Sequence, residues 1–435
     1  MQKLLYLYKQ KLALTTLIVV FFLLMVSFGK INSNNTINSD YSKGHKLILP
    51  QGFSALVIAE VKGRPRHIAA TVKGELYVKL KNLVNGKGIV LLNDENKDGD
   101  YEEVMAFGNF PGTGITLKNG YLYASSSTEV YRYKLDADDR VIDTAKPELI
   151  ITGLKAGRQH ETKSIVLDNE NNIYVNIGAY SNSCQEKDRG LESKGMMPCP
   201  ILDSAGGIWK FKADKLNQTY ADGIRYATGL RNVMGLDWYT QTNSLYAAQH
   251  GRDNLNSSWP QFFDTKKSAE LPSEVMYQLK QGDNAGWPYV YYNHLEKKYI
   301  QAPEYGGNGK IESKEKYAEP VVAFPGHLAP NALLFYKGSH FPLRYRQGAF
   351  IAFHGSWNRA PEKQLGYFVA FVPFQNGKPS GDWEIFADNF SETATVMAPR
   401  EAAHRPCGLA ETSDGSLIVT DDTKGTIYKI TYTGK

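Results

Sequence analysis

From residue 47 onward the chain repeats one short pattern: a polar turn, a strand of alternating apolar and polar residues, and another turn. Period-2 alternation of β-branched and aromatic residues between Asn-Gly, Lys-Gly or Asp-Gly pairs is typical of β-hairpins. Because such units recur at irregular spacing, they predict an all-β fold, a β-propeller whose blades carry long insertions. Helical periodicity is almost absent, which argues against an α/β nucleotide-binding fold. The pattern is clearest in residues 72–80, 117–126, 168–178, 240–251 and 413–430.

Between residues 252 and 320 the alternation gives way to a mixture of Pro, Gly, Trp and Tyr. Long stretches without regular structure in a compact domain usually carry function. We therefore expect this segment to form loops over one face of the propeller and not a second domain.

The first 29 residues carry three lysines and then an apolar run over residues 12–28, with no acidic residue. That composition is typical of an export signal. Small residues permit cleavage after Gly29, while the length of the apolar run also permits an uncleaved membrane anchor. Polar residues 30–46 form a predicted linker, and the propeller is expected over 47–435. The protein is therefore expected in the periplasm or at the cell surface.

Composition adds little evidence for a charged macromolecular partner. The formal net charge is +5, and Lys3, Lys9 and Lys11 account for three of those charges, which leaves 5 − 3 = +2 for the rest of the chain. No Lys/Arg tract occurs outside the first segment. We therefore expect no nucleic-acid partner.

Three cysteines occur in this chain, Cys184, Cys199 and Cys407. An oxidising compartment favours pairing of Cys184 with Cys199, which bracket a short loop rich in Gly, Pro and charge. Cys407 is then expected to be a small buried side chain in a strand. No C-x-x-C-H sequence occurs, which excludes a covalently attached c-type haem.

Several common catalytic motifs are missing from the sequence: the H-E-x-x-H zinc helix, the G-x-S-x-G nucleophile elbow and the phosphate-binding loop. What remains is a group of His, Arg and Asn residues at predicted strand ends. Several arginines converging in one propeller suggest a pocket for a ligand with several carboxylates or carbonyls, because guanidinium binds carboxylates through two hydrogen bonds. A surface salt bridge is the alternative interpretation for any single member.

A possible structural Ca²⁺ loop lies nearer the amino terminus. Asp94, Asn96, Asp98 and Asp100 copy the opening of an EF-hand loop, but Met105 stands where the twelfth-position Glu is needed. An ordinary hairpin turn explains the same residues. Both interpretations stay open at this point.

Taken together, residues 48–432 resemble the soluble pyrroloquinoline quinone (PQQ)-dependent glucose/sorbosone dehydrogenases, in particular the sorbosone-dehydrogenase-like branch. The resemblance implies a six-bladed propeller with long loop insertions on the cofactor face and PQQ over the central axis. The stretches that carry it are RQHETKSIVLDNENNIYVNIG (158–178), GLRNVMGLDW (229–238), QHGRDNL (249–255), GDNAGWPYVYY (282–292), APEYGG (302–307), FPGHLAPNALLFY (324–336), FHGSWNRAPEKQLGYFVAFVPF (353–374) and HRPCGLAETSDGSLIVTDD (404–422).

The resemblance also implies catalytic residues. His160 matches the family's general base, which takes the proton of a sugar hydroxyl while hydride leaves the same carbon for PQQ. Arg231 and Asn232 match the Arg-Asn pair beside the quinone, where the cation would stabilise developing negative charge. The alternatives are a histidine that closes a turn and a salt bridge at the core edge.

The cofactor and metal ligands follow from the same resemblance. Backbone carbonyls of Gly251 and Arg252 are expected to hold Ca²⁺ against the quinone, where the ion acts as a Lewis acid. An ordinary turn is the alternative. The remaining candidates are Arg359, Arg405 and Arg66 for the PQQ carboxylates, and His327, His354 and Trp357, with Trp287 in the wall, for the pocket lining.

These observations predict an exported quinoprotein oxidoreductase. It would oxidise an aldose, a sorbosone-like aldehyde or a related sugar and pass the electrons from PQQ to a separate acceptor, a cytochrome or a quinone. Two alternatives remain. One is a calcium-dependent lactonase-type propeller, which would need a cage of side-chain carboxylates, and the other is a non-catalytic carbohydrate-binding propeller.

Overall fold

The computed structural model describes Asn38–Ser39 and residues 46–434. The chain divides into residues 1–37 and residues 38–435, and the first of these units lies outside the described residues. The predicted signal or anchor over residues 1–29 and most of the predicted linker therefore lie outside them as well. Within the described ranges, no helix is long and apolar enough to cross a membrane.

Six antiparallel sheets follow one another along the chain, and each sheet forms one blade of a β-propeller. The innermost strand of each blade contacts the innermost strands of the two neighbouring blades, so the ring is closed. Blade 1 consists of Pro65–Ala70, Leu76–Val84, Lys87–Asn93 and Glu102–Phe107; blade 2 of Ile115–Lys118, Tyr121–Ser125, Val130–Lys134 and Glu148–Thr152; and blade 3 of Ile165–Leu167, Asn172–Ile177, Gly207–Lys212 and Ile224–Thr228. Blade 4 consists of Val233–Tyr239, Ser244–Gln249, Glu274–Leu279 and Pro320–Phe324; blade 5 of Pro330–Phe335, Gly348–Phe353, Phe368–Gln375 and Glu384–Ala387; and blade 6 of Pro406–Glu411, Leu417–Asp421, Thr426–Tyr432 and Phe53–Glu60.

Short elements decorate the blades. Two-residue strands extend blade 2 (Gln218–Thr219), blade 3 (Asp283–Asn284) and blade 5 (Lys378–Pro379). The remaining elements are the hairpins Val290–Asn293/Lys298–Gln301 and Asn38–Ser39/Ile48–Leu49, the α-helices Leu255–Ser258, Thr265–Glu270 and Leu343–Arg346, and the 3₁₀ turns Pro200–Asp203, Tyr220–Asp222, Pro303–Tyr305 and Pro399–Glu401. One strand of the Asn38–Ser39 hairpin lies inside the predicted linker.

Blade 6 joins the two ends of the propeller. Its outer strand, Phe53–Glu60, comes from the start of the domain and pairs antiparallel with Thr426–Tyr432 from the end. The backbone hydrogen bonds of this pair hold the ring shut without a covalent link, as closed β architectures require.

Local sequence explains the hairpins. Asn119 and Gly120 join two strands of blade 2 through a two-residue turn with φ of 50° and 75°, and Asn376 and Gly377 repeat that geometry in blade 5. Two consecutive residues with positive φ define the type I′ turn that suits twisted hairpins, and Asn and Gly adopt it with little strain.

Packing between blades explains the strands. Every residue of Asn172–Ile177 is buried, because both faces of a blade pack against its neighbours. Apolar clusters fill each gap between blades. One of them closes the ring between blades 6 and 1 and contains Ile58, Ile68, Val78, Ile418 and Ile427.

The predicted six-bladed propeller is confirmed, with two local differences. The five repeated segments fall in blades 1, 2, 3, 4 and 6, and blade 5 lacks the signal because helix Leu343–Arg346 interrupts its first hairpin. The interpretation of residues 252–320 as loops was wrong for several elements. Glu274–Leu279 is the third strand of blade 4, and Pro320–Phe324, which begins at the end of the segment, is the fourth. The segment also contains the strand Asp283–Asn284, the hairpin Val290–Asn293/Lys298–Gln301 and the helices Leu255–Ser258 and Thr265–Glu270.

The disulfide prediction is confirmed. Cys184 and Cys199 form a bond, and the two Cα atoms are 6.1 Å apart. Cys407 is a buried free thiol in strand Pro406–Glu411, as expected. Burial raises the pKa of the Cys407 thiol to about 12, so the side chain is a neutral part of the core.

Candidate functional site

A cavity of about 280 Å³ lies at the end of the propeller where the innermost strands begin. In an antiparallel blade, the start of the first strand, the end of the second and the start of the third lie at the same end. Loops from blades 3, 4 and 5 therefore meet there, and the volume is close to that of small-molecule pockets, which begin at roughly 300 Å³. The lining consists of Gln159, His160, Arg189, Arg231, His250, Gly251, Asp253, Glu274, His327, Ala329, Trp357 and Asn358.

A larger cavity of about 440 Å³ runs along the innermost strands. Its lining contains none of the residues predicted to take part in catalysis or cofactor binding. The smaller cavity is therefore the candidate site.

His160 lies in the loop between blades 2 and 3 and has a φ of 52°, an uncommon backbone conformation for a residue with a side chain. Its ring Nδ1 contacts the carbonyl oxygen of Ala179. A carbonyl only accepts, so Nδ1 carries the proton and Nε2 carries the lone pair of a neutral ring. Burial, followed by the positive charge of Arg231, lowers the pKa of His160 to about 3.

Gly178 makes room for this histidine. It directly follows strand Asn172–Ile177, and a Cβ atom at this position would lie 2.6 Å from the Cβ of His160. The same atom would lie 2.8 Å from the carbonyl oxygen of His160. Any larger residue would therefore move the imidazole.

Arg231 is buried, and the protein holds its whole guanidinium group. Nη1 donates to the Gly251 carbonyl at 2.7 Å, Nε donates to the Asn182 carbonyl at 3.1 Å, and Nη2 donates to Asp253 at 2.8 Å. The side chain is therefore a fixed positive charge next to His160. Its neighbour Asn232 is buried, lies outside the cavity lining and accepts a hydrogen bond from Asn176 at 3.4 Å.

Asp253 connects the site, and it was not among the predicted site residues. Its carboxylate accepts hydrogen bonds from Arg231 and Arg189, each at 2.8 Å, and from Asn358 at 2.7 Å. Burial alone would raise its pKa, but the charges of the two arginines hold the pKa of Asp253 well below its usual range. The only signal in the sequence was its place in the QHGRD stretch.

Two buried oxygens of the cavity residues have no hydrogen-bond partner among the described residues: Glu274 Oε2 and Asn358 Oδ1. The other carboxylate oxygen of Glu274 accepts a hydrogen bond from the backbone amide of His327 at 3.0 Å. Burial raises the pKa of Glu274 well above its usual value. Neither residue was predicted as a site residue, although Asn358 lies in the stretch 353–374 that carries the family resemblance.

His327 lines the cavity, but both ring nitrogens have partners. Nε2 donates to the Ser268 carbonyl at 2.8 Å, and Nδ1 accepts from Asn358 at 3.2 Å. Trp357 also lines the cavity, and half of its surface is exposed. Trp287 lies in a separate small pocket, where its indole donates to the Asn182 carbonyl.

Other predicted residues form a second group, the Asp422 cluster, which comprises Arg64, Arg66, His354, Arg405 and Asp422. Arg66 and His354 donate to the Asp422 carboxylate at 2.6 and 2.7 Å, and Arg64 donates to the Asp422 carbonyl. Arg405 donates to the backbone carbonyls of residues 354 and 355. Burial outweighs the nearby carboxylate and lowers the pKa of His354 to about 4. Arg66 and Arg64 thus share the Asp422 carboxylate, and Arg405 is a third cation of the same cluster; this excess of positive charge fits a polyanionic ligand.

Arg359, predicted as a ligand of the PQQ carboxylates, lies outside the cavity lining, as do Arg66, His354 and Arg405. It is buried, and its guanidinium donates to Glu270 and to the carbonyls of Ala269, Gly326 and Lys363. This geometry assigns Arg359 to the support of the loops under the site.

The predicted ion sites differ in their fit. The Gly251 carbonyl oxygen accepts a hydrogen bond from Arg231 and has a second lone pair. The unpartnered oxygens of Glu274 and Asn358 belong to the same cavity. Oxygen atoms are the ligands that a hard cation such as Ca²⁺ prefers, so these three fit the predicted ion. The prediction for Arg252 concerned its backbone carbonyl; its side chain pairs with Glu304 in the interior.

The EF-hand-like loop does not have the form of an ion site. Asp94 and Asp98 accept hydrogen bonds from backbone amides of the same loop, and this is the turn geometry given as the alternative. The part of the chain that the structure describes contains no group of three or more His, Cys, Asp or Glu side chains able to hold a metal.

Fold and site together define a six-bladed propeller with an arginine- and histidine-lined pocket at one end of its axis. Residues 47–433 match the TrAA12-like family, and the chain belongs to that family. The resemblance to PQQ-dependent sugar dehydrogenases is thereby confirmed at the level of the family, while the sorbosone branch is not.

Several known proteins match this chain over most of its length. A pyrroloquinoline quinone-dependent sugar dehydrogenase of Hypocrea jecorina is 21% identical, with 96% of each chain covered. A pyrroloquinoline quinone-dependent pyranose dehydrogenase of Coprinopsis cinerea is 22% identical over 89% of this chain, which spans 54% of that relative's length. The holo PQQ domain of the Coprinopsis cinerea pyranose dehydrogenase superposes with a TM-score of 0.69 at 20% identity, covering 90% of this chain and 98% of that one. At this identity the superposition shows the fold.

Proposed function

We propose that this protein is an exported PQQ-dependent oxidoreductase that oxidises a sugar, either an aldose, a sorbosone-like aldehyde or a related pyranose. The observation that carries the proposal is the state of His160. Its Nδ1 is held by a backbone carbonyl, and its neutral ring lines the cavity with Nε2 unprotonated.

His160 is suited to general-base work. A base acts only when deprotonated, and the lowered pKa of His160 keeps the ring neutral at physiological pH. The same lowering makes Nε2 a weaker proton acceptor than a free imidazole, so its contribution rests on its position in the cavity. We assign to Nε2 the role of accepting the proton that leaves the sugar hydroxyl. Arg231, fixed by Asp253 and Gly251, places a positive charge beside the position where negative charge develops.

PQQ, when bound, supplies the acceptor for the two electrons. Arg66 and Arg405 of the Asp422 cluster would hold its carboxylates, and His354 and Trp357 would lie against it. Gly251, with the unpartnered oxygens of Glu274 and Asn358, would hold Ca²⁺. A separate cytochrome or quinone would then receive the electrons, and export through the N-terminal segment would place the reaction outside the cytoplasm.

The names of two relatives support this choice, since both are PQQ-dependent dehydrogenases of sugars. The lactonase alternative lacks support, because the described residues contain no side-chain carboxylate cage. A carbohydrate-binding propeller without catalysis remains the second candidate, and turnover separates it from the first.

The test starts from purified protein loaded with PQQ and Ca²⁺ and supplied with a panel of sugars while quinone absorbance is followed. His160→Ala should lower turnover about 10²- to 10⁴-fold, because a positioned base contributes that much to the rate. PQQ affinity should stay close to that of the wild type. His340→Ala is the matched control, because that histidine is exposed and far from the cavity lining.

Two results would contradict the proposal. Turnover of His160→Ala close to wild type would make another residue the base. Bound PQQ without oxidation of any sugar in the wild type would favour the binding propeller.

A further inference from the structure

The disulfide loop, residues 185–198 closed by Cys184 and Cys199, lies against the mouth of the cavity and supplies Arg189 to its lining. Backbone hydrogen bonds tie the loop to other segments: Glu192 donates to the Ser258 carbonyl at 2.8 Å, and Gly195 donates to the Glu304 carbonyl at 3.0 Å. The loop is therefore a fixed wall of the site.

Arg189 crosses from this loop to the cavity. Its guanidinium donates to Asp253 at 2.8 Å, to the side chain of Asn254 at 2.7 Å and to the side chain of Gln159 at 3.1 Å. Three side chains from two different segments therefore hold the group in one orientation. A preorganised guanidinium loses little entropy when a ligand adds a further hydrogen bond.

Arg189 and Arg231 share one oxygen of Asp253 but differ in access. The side chain of Arg231 is 3% exposed, whereas that of Arg189 is 30% exposed. The shared carboxylate therefore fixes one arginine deep in the cavity and the other at its open mouth. Of these two arginines, only Arg189 is accessible to a molecule that enters from solvent.

The Arg189 guanidinium lies over the ring of Trp357 at the mouth. The guanidinium carbon lies 5.9 Å from the indole ring centre, and 51% of the Trp357 surface is exposed. A half-exposed aromatic side chain beside a guanidinium and the Gln159 amide combines the apolar and polar contacts that a sugar ring offers.

The charges at the mouth cancel. Arg189 and Arg231 carry two positive charges, and Asp188 and Asp253 carry two negative ones, so 2 − 2 = 0. Asp188 belongs to this group because it accepts a hydrogen bond from Gln159 at 2.7 Å. Glu274 of the lining adds no charge to this sum, because burial raises its pKa well above the usual value. The mouth therefore has no net charge that would favour a charged ligand over a neutral one.

We propose that Arg189 determines substrate specificity by contacting the hydroxyl groups of an uncharged sugar ring that lies against Trp357 at the mouth. This inference rests on the proposed function. It assigns the disulfide loop a role in recognition of the substrate, apart from cofactor binding and proton transfer.

Steady-state kinetics of the PQQ- and Ca²⁺-loaded protein with a panel of neutral sugars tests the proposal. Arg189→Ala should raise KM about 10- to 100-fold for the preferred sugar, the loss expected for one hydrogen bond to a charged group. Its kcat and PQQ affinity should change less than about threefold, because uniform binding is lost. Arg189→Lys should recover part of the KM. Lys187→Ala is the matched control, because Lys187 is an exposed residue of the same loop outside the cavity lining.

The outcomes separate this inference from the proposed function. An unchanged KM in Arg189→Ala, with active wild type, overturns the inference alone. A fall in kcat at constant KM also overturns it, because Arg189 would then act through Asp253 on Arg231. If the wild type oxidises no sugar, the proposed function fails, and calorimetry decides: tighter sugar binding by wild type than by Arg189→Ala supports the inference, and equal or undetectable binding overturns it.

Discussion

Replacing Arg359 with alanine separates a structural role from a cofactor-binding role. The sequence suggests a ligand of PQQ, whereas the structure places this arginine under the site with protein partners on all of its nitrogens. Its side chain is 4% exposed, and that of Glu270, its ion-pair partner, is 37% exposed. We therefore expect Arg359→Ala to destabilise the protein even when no cofactor is present.

The magnitude follows from the partners left behind. Truncation leaves the Gly326 and Ala269 carbonyls without their donor, and each unsatisfied buried group costs about 1–3 kcal/mol. Because Glu270 is 37% exposed, loss of the ion pair adds only about 0–1 kcal/mol, and we expect a total loss of about 3–5 kcal/mol. With an unfolding entropy of about 0.8 kcal/mol/K for a propeller of roughly 390 residues, Tm should fall by about 4–6 °C.

Scanning calorimetry of the protein without PQQ measures this change. Arg344→Ala is the matched control, because it removes an arginine from an ion pair with Glu384 but at a site where the arginine side chain is 58% exposed. Such a surface pair contributes about 0–1 kcal/mol, so Tm should change by about 1 °C or less. If Arg359→Ala melts like the control and only PQQ affinity falls, the structural assignment is wrong.

Further expectations concern the cavity and its ions. In a kcat/KM profile, activity should persist as pH falls from 7 to 5, because the pKa of His160 is lowered to about 3 and the base stays deprotonated; an acid limb near 6.5 would contradict this. Gly178→Ala should lower turnover by about 10-fold or more while PQQ still binds, since its Cβ would displace His160; wild-type rates would show that the loop adapts. Excess chelator should weaken PQQ binding in a titration, and added Ca²⁺ should restore it; equal affinity in both conditions would remove calcium from the site.

The fold class could be predicted because its determinants are local. Alternation at period 2 and Asn-Gly pairs act over two to four residues, so they mark hairpins wherever the chain places them. The sequence pattern did not indicate blade 5, because helix Leu343–Arg346 replaces the tight turn of its first hairpin. The pattern did not indicate strand Glu274–Leu279 either, because its pairing partners are distant along the chain.

Part of the site could also be predicted, since the sequence identified His160, Arg231 and the QHGRD stretch as candidates, and the structure brings them together in one cavity. Which donors remain available was decided only by the tertiary structure. Arg359 finds Glu270 across 89 residues of chain, and Arg66 finds Asp422 across 356. Asp253 acquires its two arginines from different blades. The amino-acid type of a residue limits what its side chain can bind. Burial and the partners supplied by distant segments determine what it does bind, because a buried charge is stable only when those partners are in place.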